Sequence, residues 1–348
     1  MLKKLLTVVT LFFIVSYCLE SRIITVSNNP SIPAQFANLQ TAIDSASAGD
    51  TIYVHKSLTS YGDINFDKEI HLVGSGYHTR GESYYQSRIR NICMKTGSSN
   101  CSFVGFHIYS INNCTYNNTS NNIIISKCYI SSTLTINGSG WILFNNVIKT
   151  VGYGTSFNIN NYSNILIYNN IFDKGSNGTP IMASNQSSVR IFNNIFYGNL
   201  HAFNGINNAT IENNIFYNSS PDYCSNCTFN NNITYNTSQN DLPYGNNFGE
   251  NNFSNQDPLF DFNILLAVYF PYDYNFHFQS ESLCIGAGSD GTDLGIFGGN
   301  IPWPETDNGV TDYTGYPSIP LVKELKIYNT IIGQSSKVRF NSKVIIPK

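Results

Sequence analysis

The stretch "VRIFNNIFYGN" at residues 189–199 recurs nearly unchanged as "ILIYNNIFDKG" at 165–175 and "ATIENNIFYNS" at 209–219. Each copy centres on an Asn pair. Aligned on that pair, the chain repeats at Asn145–Asn146, Asn169–Asn170, Asn193–Asn194, Asn213–Asn214 and Asn231–Asn232, with a looser copy at Asn251–Asn252. The intervals are 24, 24, 20, 18 and 20 residues. A period near 20 points to a solenoid. Upstream, "FVGFHI" at 103–108 and "SKCYI" at 126–130 hold similar places without the pair.

Within a copy, Val189 and Ile191 alternate with Arg190 and Phe192, and Ile165 and Ile167 alternate with Leu166 and Tyr168. Period-two alternation with β-branched residues marks strands. A second short apolar segment follows the pair, as at Ile195–Phe196, and turn residues follow that. Such a coil is one rung of a parallel β-helix, with rungs about 4.8 Å apart. The Asn pair then has a corner to make, because Asn tolerates the left-handed backbone. Its stacked amides are expected to bond from rung to rung as a ladder. The columns Ile171, Ile195, Ile215 and Phe172, Phe196, Phe216 should face opposite ways. Periodicity alone leaves open which faces in.

The open ends of a solenoid need seals. Leu39, Ala42, Ile43 and Ala46 share one helical face, which predicts a capping helix over about residues 37–48, ended by Gly49. The fold expected is all-β: a right-handed parallel β-helix over 22–300, with an N-terminal capping α-helix and a short C-terminal β-rich tail. Pro and Gly in "IPWPETDNG" and "GYPSIP" predict a linker over 301–320, and alternation predicts the β-rich tail over 321–348.

"LQTAIDSASAGDTIYVHKS" with "INFDKEIHLVGSGY" resembles the opening of secreted right-handed β-helix proteins of the pectate-lyase-like superfamily. "DPLF" at 257–260 and "FHFQSESLCIGAGSDGTDLGIFGG" at 276–299 are similar to the closing segment of many bacterial members. The resemblance covers roughly residues 23–300. It implies a fold and not a reaction, since the superfamily includes lyases, hydrolases, epimerases and adhesins.

The N-terminus predicts export. Lys3 and Lys4 precede an apolar run from Leu5 to Val15, the layout of a signal peptide over 1–21 and too short to span a bilayer. Lipidation at Cys18 is the weaker reading, because bulky Tyr17 precedes it. No other stretch is apolar enough to be a transmembrane segment. A secreted or cell-surface protein is expected, as a monomer. Charged residues are 12% of the chain, against roughly 25% in an ordinary soluble protein. The net charge of −3 supplies no basic field for nucleic acid. Seven cysteines follow Cys18, an odd number, so internal pairing leaves at least one free. "CSNC" at 224–227 has metal-ligand spacing but no completing partner, and reads as a local disulfide or two buried thiols.

Chemistry is sparse. A polysaccharide lyase needs a base and a cation for the uronate, and calcium needs several carboxylates together. Between 121 and 256 the acids are Asp173, Glu212, Asp222, Asp241 and Glu250, no two in one repeat column. No cofactor is expected, calcium being the exception if the protein is a lyase. The catalytic candidates are Arg190, Lys174 and Glu212, which could face one cleft. The bland alternative is that each is a solvated surface charge. His107 and His201 have no partner visible by spacing. Outward aromatics form two columns: Phe144, Tyr168 and Phe192 in one, and Tyr197 and Tyr217 in the other. A row of rings at rung spacing suits an extracellular polysaccharide or cell-surface glycan. The expected function is therefore non-catalytic glycan binding, adhesion or scaffolding. A polysaccharide lyase or glycosidase is the alternative.

Overall fold

The alternation in each repeat folds into strands that stack in parallel. The computed structural model describes residues 21–78, 86–114, 118–149, 155–160, 162–173, 179–184, 187–198, 201–261, 272, 274–318, 321–327 and 340–345. The signal-peptide and Cys18 expectations, and Lys174, lie outside those residues. Three faces wrap one core. The first face is a ten-stranded sheet that includes Ile142–Phe144, Ser163–Tyr168, Ser187–Phe192, Thr210–Glu212 and Thr228–Asn230. The second face follows the Asn pair, with Val147–Lys149, Ile171–Asp173, Ile195–Tyr197, Ile215–Tyr217 and Ile233–Tyr235. The third face includes Leu134–Ile136, Thr155–Asn160, Thr179–Ser184 and Phe203–Asn204. The long strand His107–Asn113 runs through both the second and third faces and joins them into one sheet. The protein is an all-β parallel solenoid.

Inward columns fill the tube. Val189 and Ile191 point in and are buried, while Arg190 and Phe192 point out. After the pair it is the Phe column that faces in. Phe172, Phe196 and Phe216 stack with centroids 4.5 and 5.1 Å apart and planes within 14° of parallel. The helix spans Leu39–Ser45, shorter than its apolar pattern suggests, because Ala46 is already extended. Asn38 caps it by accepting from the Thr41 N–H, and Leu39, Ala42 and Ile43 bury against the same core. Gly49 turns the chain into Asp50–Val54 and is not the helix end.

The two members of each Asn pair do different work. The first is the left-handed corner, at φ 53° for Asn145, 50° for Asn169, 54° for Asn193, 58° for Asn213 and 53° for Asn231. The second points inward and builds the ladder. Nδ2 to Oδ1 bonds run from Asn146 to Asn170, Asn194, Asn214, Asn232 and Asn252 at 3.0–3.1 Å. Each Oδ1 also accepts the backbone N–H of the Asn before it, and Asn146 accepts from Cys128. A second left-handed corner, before the first face, is made by Asn100, Asn122, Gly140, Asn164, Ser188, Asn208 and Asn226.

These corners define a backbone test. Asn193→Val should cost about 1–2 kcal/mol more than Asn193→Gly, because both lose the side chain but only valine meets the steric penalty at positive φ. Urea unfolding of the pair measures it. Equal midpoints would mean that the corner relaxes out of the left-handed region.

Beyond the last rung the chain turns back and runs along the second face. The first Asn of each pair holds it. Asn231 donates to Ala287 O (2.9 Å), Asn213 to Ser289 Oγ (3.1 Å), Asn169 to Ile296 O and Gly298 O (2.8 and 2.9 Å), and Asn145 to Pro302 O (3.4 Å). Gly295, at φ 72°, lies so close that a Cβ there would sit 2.7 Å from Ile215 Cδ1. Farther back, Lys127 Nζ donates to Ser318 Oγ and Tyr77 N–H to Thr314 O. The outward column Val147, Ile171, Ile195, Ile215 and Ile233 is buried by this strap, in one cluster with Leu294, Ile296, Trp303 and Tyr313.

The expectation of a linker over 301–320 is therefore corrected for 301–318. Its Pro and Gly shape a strap whose Trp303 and Tyr313 are buried against the solenoid. Leu321–Ile327 and Phe340–Ile345 pair antiparallel, a hairpin in the tail. Cys93 and Cys114 form a disulfide, and Cys101, Cys128, Cys224, Cys227 and Cys284 are free and buried.

Candidate functional site

The outer surface of the first face carries the aromatic column. Phe144, Tyr168 and Phe192 are register partners on consecutive rungs, all half-buried. Their rings stack on one another, with centroids 5.3 and 4.9 Å apart and planes 3° and 13° from parallel. The ring faces between neighbours are thus used up inside the column. At one end the Arg190 guanidinium lies 4.9 Å from the Phe192 centroid. At the other, the register partner of Phe144 is Ser126, whose side chain is too short to cover a ring. Ile142 and Leu166 form a half-exposed aliphatic column alongside.

Arg190 and Glu212 do meet. They form an ion pair across adjacent rungs, with Arg190 half exposed and Glu212 mostly buried. Arg190 is the register partner of Thr210, and Phe192 is that of Glu212, so the pair is diagonal. It lies on a sheet face and locks one end of the ring column. The aromatic expectation holds less well on the second face. Tyr197 is 2% exposed, packed against Tyr274 and Phe276, and Tyr217 lies beside Phe260. The returning chain covers these rings, so Tyr197 cannot be a surface platform.

Two constellations escaped sequence reasoning. The second-face column that reads Tyr197, Tyr217, Tyr235 carries Asp173 one rung earlier and Lys149 before that. The break from Tyr to Asp in an otherwise repeated "IFY" was the available signal. Asp173 is 2% exposed. Burial pushes its carboxyl up to about 6, against a hydrogen bond from Tyr197 and the charge of Lys149, which both pull it down. Tyr129 and Tyr272 are close enough to feel its charge.

His201 Nδ1 meets both oxygens of Asp222, at 2.9 and 2.8 Å. Their separation of 21 residues is one rung, which is the spacing that brings them together. Burial raises the Asp222 carboxyl despite that partner. His107 is a structural link, between Gln86 and Ser131, and burial with the Arg88 charge lowers it to about 4.

Among the described residues no group of three or more His, Cys, Asp or Glu could hold a metal ion, and no helix is long and apolar enough to cross a membrane. These features define a class: a parallel β-solenoid with one face packed under its own C-terminal strap and another carrying a half-buried aromatic column. No protein-family model matches the chain, and no match is found among curated proteins.

Proposed function

We propose that the protein is an exported, non-catalytic glycan-binding scaffold of the secreted right-handed β-helix, pectate-lyase-like type. It is carried out by its N-terminal signal peptide and presents the first face to an extracellular or cell-surface glycan. The contrast between the two faces carries the reading. The second face is sealed, whereas the first leaves Phe144, Tyr168 and Phe192 half-buried beside Ile142 and Leu166. Half-buried apolar side chains lined up along one face suit an interaction surface. Rings and aliphatic flanks at rung spacing suit the C–H and O–H groups of an extended sugar chain. The Arg190–Glu212 pair holds the last ring in place.

The test is retention of the protein on a panel of insoluble polysaccharides, with supernatants monitored for unsaturated and reducing sugars. Retention without product is expected, and Tyr168→Ala should weaken it about tenfold, a loss of about 1.4 kcal/mol. Failure to bind any glycan would overturn the reading. The hydrolase alternative is favoured by one observation, the Asp173 carboxyl held near 6 beside Lys149 and Tyr197. Product release that Asp173→Asn abolishes would establish it in place of the first.

A further inference from the structure

The outward side chains of the first face form two columns over six rungs, from Ile124 and Ser126 to Thr228 and Asn230. Among them Arg190 and Glu212 alone are charged. Their ion pair cancels the two charges at the end of the ring column. The guanidinium also lies against the Phe192 ring, 4.9 Å from its centroid, so two neighbours of its own chain hold it. Beyond the last of these rungs the next charge is again negative. Exposed Glu250 follows Asn230, and its N–H donates to Asn230 Oδ1 at 3.1 Å. At the other end the first ionisable group is His71, which bonds to Ser102 Oγ and lies 3.6 Å from Glu69. The face thus presents aliphatic side chains and rings, with a slight surplus of acid.

We propose, on the basis that this face binds glycan, that it takes a neutral polysaccharide chain and rejects a polyuronate, and that Glu212 sets this choice by cancelling the charge of Arg190.

A polyuronate brings a carboxylate with each sugar. A carboxylate leaves water at a cost unless a cation or several hydrogen-bond donors meet it. Ile142, Leu166 and the rings of Phe144, Tyr168 and Phe192 offer no charge and, apart from the Tyr168 hydroxyl, no donor. A calcium bridge would need several protein carboxylates, and Glu212 is the one on these rungs, already engaged with Arg190. A neutral chain avoids the cost. Its C–H groups pack on the apolar side chains while its hydroxyls keep their water. Without the Glu212 charge, Arg190 would be an uncompensated, half-exposed cation beside the last ring, which is the group that a polyuronate lacks here.

The full chain is applied at low salt, with calcium or with chelator, to amorphous cellulose, chitin, mannan and cross-linked polygalacturonate. Retention on at least one neutral polymer about tenfold above that on polygalacturonate is expected under both conditions. Glu212→Gln keeps the shape of the side chain and should raise retention on polygalacturonate about tenfold, a gain that about 0.5 M salt removes. Arg190→Gln combined with Glu212→Gln should not show the gain. Equal or tighter retention of the wild type on polygalacturonate than on every neutral polymer would overturn the proposal while leaving glycan binding intact. A folded Glu212→Gln protein with no gain on polygalacturonate would also overturn it. Retention on none of the polymers would overturn glycan binding itself. The wild-type ranking decides even if the variants do not fold.

Discussion

Asn194→Leu is expected to lower the stability of the protein by about 3–5 kcal/mol, more than any single surface substitution. Leucine has the branching and the side-chain heavy-atom count of asparagine but larger methyl groups, so the loss is one of polar partners with some overpacking. Asn194 Nδ2 donates to Ile167 O, Phe192 O and Asn214 Oδ1 at 2.9–3.0 Å. Its Oδ1 accepts from the Asn170 N–H and Nδ2 at 2.9 and 3.1 Å. The site is fully buried, so water cannot replace the bonds. The Asn170 N–H loses its acceptor outright, and the carbonyls of Ile167 and Phe192 lose a donor. Each orphaned group costs about 1–3 kcal/mol.

The half-buried end of the same ladder supplies the control. Asn252 also accepts from the Asn232 N–H and amide, but water reaches it. Asn252→Leu should therefore cost about 1 kcal/mol. Denaturant unfolding of both variants checks the difference. Equal losses would mean that the ladder does not depend on burial, and the account given for it would fail.

The ladder also marks how far the sequence could be read. Local repetition writes itself into sequence: "NNIF" recurs because every rung needs a corner, an amide and a core ring. The strands, the inward Val189 and Ile191, the left-handed Asn193 and the bonded Asn194 all follow from that. The direction of the Phe column did not follow, because Ile195 and Phe196 are both buried, one by the tube and the other by the strap. The strap itself has no period. Its hold on the solenoid joins side chains to backbone atoms across separations of 56 to 157 residues, as in Asn231 with Ala287 and Asn145 with Pro302. Nothing in "IPWPETDNG" announces that partner.

The candidate site was legible in the same uneven way. The stack of Phe144, Tyr168 and Phe192 came from column alignment, and so did the meeting of Arg190 and Glu212. His201 and Asp222 were missed although they lie one rung apart, since loop residues carry no repeat to align. Tyr197 was misplaced because the chain that covers it arrives from residues 274–276.

Between pH 4 and 6 the Asp173 carboxyl should cost the protein stability as pH rises, opposite in sign to the contribution of buried His107, so Asp173→Asn should gain on the wild type across that range. The sign follows from the direction of the shift. Burial raises the folded-state carboxyl from 3.8 to about 6, so the fold favours the protonated form. Below 3.8 the group is neutral whether the chain is folded or not, and it exacts no penalty. Between the two values the unfolded chain releases its proton while the folded chain keeps it. At this group the folded state then binds more protons, and its contribution to stability falls with rising pH. Above about 6 the carboxylate is ionised in both states and the penalty is complete, on the order of 3 kcal/mol. The groups that face it are Tyr197, Lys149, Tyr129 and Tyr272, of which Lys149 is the cation that partly offsets the burial. Asparagine keeps the shape and the acceptor for Tyr197 but cannot ionise. Thermal or urea unfolding of both proteins at pH 4, 5, 6 and 7 measures the difference. The variant should gain on the wild type as pH rises, reaching about 3 kcal/mol by pH 7. Parallel profiles would show that water or Lys149 solvates the carboxylate as well as bulk solvent does. The same measurement bears on function. A carboxyl kept at this cost, in a column where Tyr197, Tyr217 and Tyr235 need none, is a position on the sealed face that packing alone does not explain.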